Sequence, residues 1–214
     1  MAAAARRTGN NIHDMIHCGI DVGHASGTGA RSACGRYDEH ELNARLAGLI
    51  ARKLRGRGIC VTVYDFPAVS NRADLNRTIS AVNADGVDFL VSLHSDCAQR
   101  VVGYETCLDE DGIEYQRPVL EDDPRARGAH VIYTSAAGCR LARMIAGYLC
   151  ELLPGRAEHT VQRKDLAILN RTKCVAALGE NGFVTSPSDM KILTERMEEV
   201  ADAYVNGILD YLLP

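Results

Sequence analysis

Residues 39–64 read EHELNARLAGLIARKLRGRGICVTVY. Leu42, Leu46, Leu49, Ile50 and Leu54 recur at helical spacing, which predicts an amphipathic helix over 39–55. Asp38 followed three residues later by Glu41 fits a capping box at its start, and Gly56 and Gly58 fit its stop. Ile59 to Tyr64 is then apolar and β-branched, as a buried strand requires. A helix feeding a buried strand through a short glycine turn is the repeating unit of an α/β fold.

The same unit recurs on either side. Upstream, residues 16–22 (IHCGIDV) read as a strand that runs into a glycine-rich loop over 23–35. Downstream, 72–84 reads as a helix carrying Leu75, Ile79 and Val82, and 89–93 as a third strand. Beyond residue 128 come a strand over 129–133 and a helix over 135–153, ended by Pro154-Gly155. Short strands at 166–169 and 175–178 and a single long helix over 188–212 complete the pattern. The alternation predicts an α/β chain: one domain, with a twisted, mostly parallel sheet and helices on both faces.

Residues 95–128 break the rhythm. They hold Asp109, Glu110, Asp111, Glu121, Asp122 and Asp123, and they are too long for an ordinary connection. This stretch reads as an acidic insertion with a hairpin around Asp111-Gly112. The organisation expected is an N-terminal tail over 1–15 and a catalytic domain over 16–214 that carries the insertion.

Composition sets limits. The chain has 214 residues, 46% hydrophobic and 24% charged, as in an ordinary globular domain. A net charge of −4 argues against a nucleic-acid partner held by a broad basic surface. No apolar run is long enough for a transmembrane segment, and no apolar stretch follows Arg6 and Arg7 to make a secretory signal. Tryptophan is absent, which excludes a sugar site of stacked indoles. None of the eight cysteines forms a C-x-x-C pair, so a zinc ribbon and a thioredoxin motif are excluded. Cys18, Cys60, Cys150 and Cys174 lie in apolar runs and read as small core residues, which favours a reducing compartment. A disulfide among Cys34, Cys97, Cys107 and Cys139 stays open.

In an open α/β sheet, ligands sit beyond the carboxyl ends of the strands. His24 follows the first strand, His94 the third and Glu180 the last, while Glu39 opens the first predicted helix. Two histidines and two glutamates thus converge from four segments. Two imidazoles and one carboxylate make a catalytic zinc set with a free fourth position, and a second carboxylate is what such a site needs as general base. These residue types suffice for metal-assisted hydrolysis of an amide; spacing alone leaves a structural role for each histidine open.

Taken together, Asp21-Val22-Gly23-His24, Glu39 with Asn43 and Ala47, Val91-Ser92-Leu93-His94, Gly179-Glu180-Asn181-Gly182-Phe183 and Ser186-Pro187-Ser188-Asp189 resemble the zinc-dependent N-acetylmuramoyl-L-alanine amidases of the amidase-3 type. The resemblance spans about residues 16–212. It implies His24, Glu39 and His94 as Zn2+ ligands and Glu180 as the catalytic carboxylate. It further implies peptidoglycan as substrate, cut between N-acetylmuramic acid and L-alanine, with action at the cell wall or periplasm. The alternative is a zinc hydrolase of another amide on the same scaffold. A holin-released phage or prophage endolysin fits the missing export signal, and so does a bacterial enzyme whose signal was trimmed. Ala25, Asp96 and Tyr64-Asp65 depart from the family pattern without touching a proposed ligand.

The remaining candidates have plainer readings. Glu41 reads as a cap. Asp21 orients a ligand histidine or caps the loop. His17 reads as a strand residue, His130 stays open, and His13, His40 and His159 read as surface residues. Cys97, three residues after His94, reads as an inert loop thiol. Gly23 and Gly179 read as positions of close backbone approach.

Overall fold

The computed structural model describes residues 16–26, 34, 38–67 and 70–214. The expected tail over 1–15, His13 within it, and most of the loop over 23–35 lie outside the described residues. The elements are β1 (His17–Val22), α1 (Glu39–Arg55), β2 (Cys60–Tyr64), α2 (Asn71–Asp85), β3 (Phe89–Asp96), β4 (Gln99–Leu108), β5 (Glu114–Asp122), β6 (His130–Tyr133), α3 (Ala136–Leu152), β7 (Thr160–Gln162), α4 (Ala167–Arg171), β8 (Val175–Phe183), α5 (Pro187–Glu195) and α6 (Met197–Leu212).

Six strands form one sheet in the order β2-β1-β3-β8-β6-β7. β2, β1, β3 and β8 run parallel; β6 pairs antiparallel with β8, and β7 parallel with β6. The expected α/β architecture with helices on both faces is therefore present, with one antiparallel junction. Strand period sorts the residues. Phe89, Val91 and Leu93 of β3 join the larger layer with α1, α3 and α6. Leu90 joins the smaller layer, formed with α2 and α4. His94 shares the parity of Leu90, so it belongs to the α2/α4 side.

Helix α1 matches its sequence. Asp38 Oδ1 accepts from the Glu41 backbone N–H at 3.0 Å, and Leu46, Ile50 and Leu54 are buried. Each such side chain contributes roughly 1.5–3 kcal/mol by leaving water.

Two local expectations are corrected, and one strand is added. Residues 166–169 are not a strand: the N–H groups of Leu169 and Asn170 both reach Leu166 O at 3.1 Å, opening the short helix α4. A brief apolar run cannot separate strand from helix by periodicity. The long helix expected over 188–212 is two helices. Arg196, at φ −125° and ψ 29°, ends α5 and starts α6, while Leu193, Met197 and Val200 bury against one layer and keep the periodicity unbroken. Strand β7 was not foreseen; its three residues carry too little pattern.

The cysteines also differ from expectation. Cys18 and Cys150 are buried, but Cys60 is exposed at the edge strand β2 and Cys174 is half-buried. Cys34 and Cys97, two of the four cysteines for which a disulfide was left open, form one with Cα atoms 6.0 Å apart, so Cys97 is not a free loop thiol. Residues 99–122 form a separate β4–β5 hairpin, turning at Asp109–Gly112 where Gly112 takes φ +79°.

Asp189 fastens the end of β8. Its Oδ2 accepts from the backbone N–H groups of Gly128 at 2.8 Å and Phe183 at 2.9 Å, and the residue is 2% exposed. Asp189→Ala strips both buried donors of their acceptor. It should lower stability by about 3 kcal/mol, read as a shifted urea midpoint.

Candidate active site

Four elements deliver the site. β1 ends at Val22 and hands the chain to Gly23 and His24; α1 supplies Glu39 as its first residue; β3 carries His94; β8 carries Glu180. Glu180 was expected beyond the last strand. It lies inside β8 instead, because that strand continues to Phe183, and it pairs in register with His94.

His24, Glu39 and His94 converge. Each offers one ligand atom, and these atoms lie within 4.8 Å of one another. Glu39 is fully buried. Its Oε2 is 3.0 Å from His24 Nε2, and its Oε1 is 3.4 Å from His94 Nδ1. The Ser95 backbone N–H donates to Glu39 Oε1 at 2.9 Å, which fixes the carboxylate. The two imidazoles meet edge to face with centroids 5.2 Å apart. His24 takes φ +65°, a left-handed conformation that a residue with a side chain holds only when its surroundings impose it.

Electrostatics follow from this packing. Burial works against the charge of Glu39, but the hydrogen bonds from His24 and His94 hold its carboxyl down to about 2. Burial likewise opposes charge on His94, yet Glu39, Glu180 and Asp21 raise it to about 9. Burial pushes Glu180 up to about 7, with the carboxylates of Asp96 and Glu39 adding and His94 opposing. Among the described residues, Glu180 Oε2 is a buried oxygen with no hydrogen-bond partner. Two nitrogens and a carboxylate oxygen, packed this closely beside an unpaired carboxylate, fit a small divalent ion of the zinc type.

The sequence model of N-acetylmuramoyl-L-alanine amidase matches residues 18–210. The chain belongs to this amidase family. Among solved structures it is similar to the catalytic domain of CD27L endolysin, which targets Clostridia difficile: 24% identity, 93% of this chain and 99% of that one covered, TM-score 0.74. It is similar also to the amidase Ami1 of Mycobacterium smegmatis (19% identity, 92% and 96% covered, TM-score 0.70) and to the amidase AmiC2 of Nostoc punctiforme (19%, 92% and 97%, TM-score 0.69). These likenesses show the fold. No curated protein matches the chain.

The amidase site has supports that the sequence did not reveal. Asn71, at the start of α2, accepts from the Ala25 N–H at 3.0 Å and places its Nδ2 3.0 Å from His24 Nδ1. Arg156 pairs with Asp96, lies over the Phe183 ring at 4.5 Å and donates to Gly128 O. Asn71 and Arg156 sit in stretches with no motif, and only the fold brings them near. Asp21 bonds neither histidine: its Oδ2 accepts from Ser92 Oγ at 2.5 Å across the β1–β3 register.

The other histidines sort themselves. His40 is buried against Asp65, 2.9 Å from Nε2 to Oδ1, and is not a surface residue. Its place on α1 faces the Asp65 that stands outside the family pattern. His17 meets Thr62 Oγ1 at 2.8 Å, and His159 is exposed. His130 pairs in register with Glu180; burial, with Arg156 and Arg163 nearby, lowers it to about 4.

Gly23 and Gly179 are positions of close approach. A Cβ on Gly179 would meet the Tyr204 hydroxyl at 1.8 Å, and that hydroxyl donates to Asn181 Oδ1 at 2.6 Å.

Proposed function

We propose that this amidase uses Zn2+ held by His24, Glu39 and His94 to hydrolyse the amide between the lactyl group of N-acetylmuramic acid and the L-alanine of the peptidoglycan stem, with Glu180 as general base. The observation that carries the reading is the approach of two imidazoles and one buried carboxylate within 4.8 Å, with Glu180 opposite His94 in the sheet. Zinc bound there supplies a water of lowered pKa and polarises the scissile carbonyl.

The chain's own groups do the rest. Glu180 takes the proton of the attacking water at its unpaired Oε2, as the oxygen bonds to the carbonyl carbon. It then returns that proton to the amide nitrogen as the C–N bond breaks, leaving a lactyl carboxylate and a free L-alanine amine. Glu39, held by Ser95, spaces the two histidines. Asn71 Nδ2 lies 3.0 Å from His24 Nδ1 and holds the orientation of that ring.

The cell wall is then the place of action. Among the described residues no helix is long and apolar enough to cross a membrane. An endolysin delivered through a holin and an exported bacterial enzyme share this chemistry.

The deciding experiment is digestion of purified peptidoglycan by the zinc-loaded protein, with products read by mass spectrometry and a chelated control. Stem peptides beginning with a free L-alanine are expected, lost on chelation and restored by zinc. One equivalent of bound zinc without released peptide would transfer the reading to another amide substrate. No bound metal would overturn the site.

A further inference from the structure

A cavity of about 280 Å³ opens beside the His24–Glu39–His94 cluster, between the strand ends and helices α2 and α4. Its walls are largely apolar, with Val22, Leu75, Ile168 and Leu178 among them. Three carboxylates also line it: Asp21 of β1, Asp74 of α2 and Glu180 of β8; His24 and His94 line it too, so the cavity is continuous with the reacting centre.

Asp74 is out of keeping with its surroundings. It is only 7% exposed, yet among the described residues no hydrogen bond or ion pair reaches its carboxylate. Asp21 and Asp65 place charge of its own sign nearby, opposed more weakly by His40 and His94. Asp21 is committed to Ser92 Oγ through one oxygen, and Asp65 to His40. Burial and these two neighbours raise the Asp74 carboxyl to about 7. Arg163 lines the same cavity, but its guanidinium is engaged by Asp165, with Nε 3.0 Å from Oδ1. Buried carboxylates are ordinarily paired. Here the partner is missing and the carboxylate borders an open cavity next to the reacting centre.

The complement of such a cavity is an ammonium on an aliphatic stem. Methylenes pack on the apolar walls, and the ammonium donates charge-assisted hydrogen bonds to the carboxylates. A neutral apolar group would leave Asp74 unpaired, and an anion would be repelled. We propose that Asp74, with Asp21 beside it, is a specificity-determining residue that binds the primary amine of a diamino-acid side chain in the peptide part of the substrate. The proposal rests on the peptidoglycan amidase reading for its substrate class.

The test uses two soluble muramoyl peptides of one sequence, with the side-chain amine free in one and N-acetylated in the other. The zinc-loaded protein is expected to favour the free amine by about tenfold or more in kcat/KM, the difference lying in KM. In Asp74→Asn that ratio should fall to about one, and Asp74→Glu should restore part of it. A calorimetric titration of the free stem peptide, which lacks the scissile amide, should show the same dependence on the amine and on Asp74. Equal turnover of both substrates by the unaltered protein would overturn the proposal. So would Asp74→Asn that slows both equally and keeps their ratio, since that is a structural effect. Failure to cleave either substrate would count against the amidase reading alone, and the titration would still decide the amine subsite.

Discussion

Glu180→Gln is expected to lower amide hydrolysis by about 1,000-fold or more while zinc remains bound. Glutamine keeps the shape of the side chain inside β8 and removes only its capacity to carry a proton. General bases in hydrolases contribute on the order of 10²–10⁴-fold. The upper part of that range applies here because one residue serves both proton transfers. Burial raises this carboxyl above the ordinary glutamate range, the direction that suits a group taking up and returning a proton. None of the three grouped ligand atoms belongs to Glu180, so metal content should be unchanged. Steady-state rates on soluble muramoyl peptides, paired with zinc analysis of the same samples, give the answer. Full activity in Glu180→Gln would remove it from the reaction. Loss of zinc along with activity would reassign it as a ligand.

How far the sequence foretold this arrangement depends on the residue. Helix α1 was legible because its cap, its apolar stripe and its glycine stop agree, and local agreement of that kind specifies structure. The order of layers was legible for the same reason. The 188–212 segment was not, because α5 and α6 bury the same side and the break at Arg196 needs neither glycine nor proline. The short helix α4 was missed because five residues carry no period.

The convergence of His24, Glu39, His94 and Glu180 could be argued from strand ends alone. The position of Glu180 within β8, opposite His94, could not. It depends on a strand running four residues past the Gly179 that makes room for Tyr204. His40 shows the opposite case. Its neighbours in sequence look solvated, but Asp65, which buries it, lies 25 residues away on another segment. The Cys34–Cys97 disulfide and the orphaned Asp74 carboxylate belong with His40, since each is defined by a partner, or by the lack of one, across the fold.

His94→Ala and Gly23→Ala are expected to converge on one outcome, loss of the bound metal, although only the first removes a ligand atom. His94→Ala takes one of three donors, and a site left with one imidazole and one carboxylate should not retain zinc through dialysis. Gly23→Ala acts through space. A Cβ at that position would stand 2.4 Å from Leu93 O and 2.6 Å from both Cε1 and Nδ1 of the His94 ring. The carbonyl cannot yield readily, because it accepts from the Gly23 N–H at 2.9 Å and belongs to β3 in the middle of the sheet. The ring must therefore swing away, taking Nδ1 from its place 3.4 Å from Glu39 Oε1. Disturbing the geometry of a ligating imidazole costs about 10–100-fold in metal affinity even when only an outer partner is lost, so moving the ring itself should cost at least about 100-fold. Competition against a chromogenic chelator measures the affinity, and far-ultraviolet circular dichroism confirms that both variants fold. A Gly23→Ala protein that folds and binds zinc with unchanged affinity would mean that His94 can ligate from another rotamer. Unchanged affinity in His94→Ala would remove that residue from the metal site.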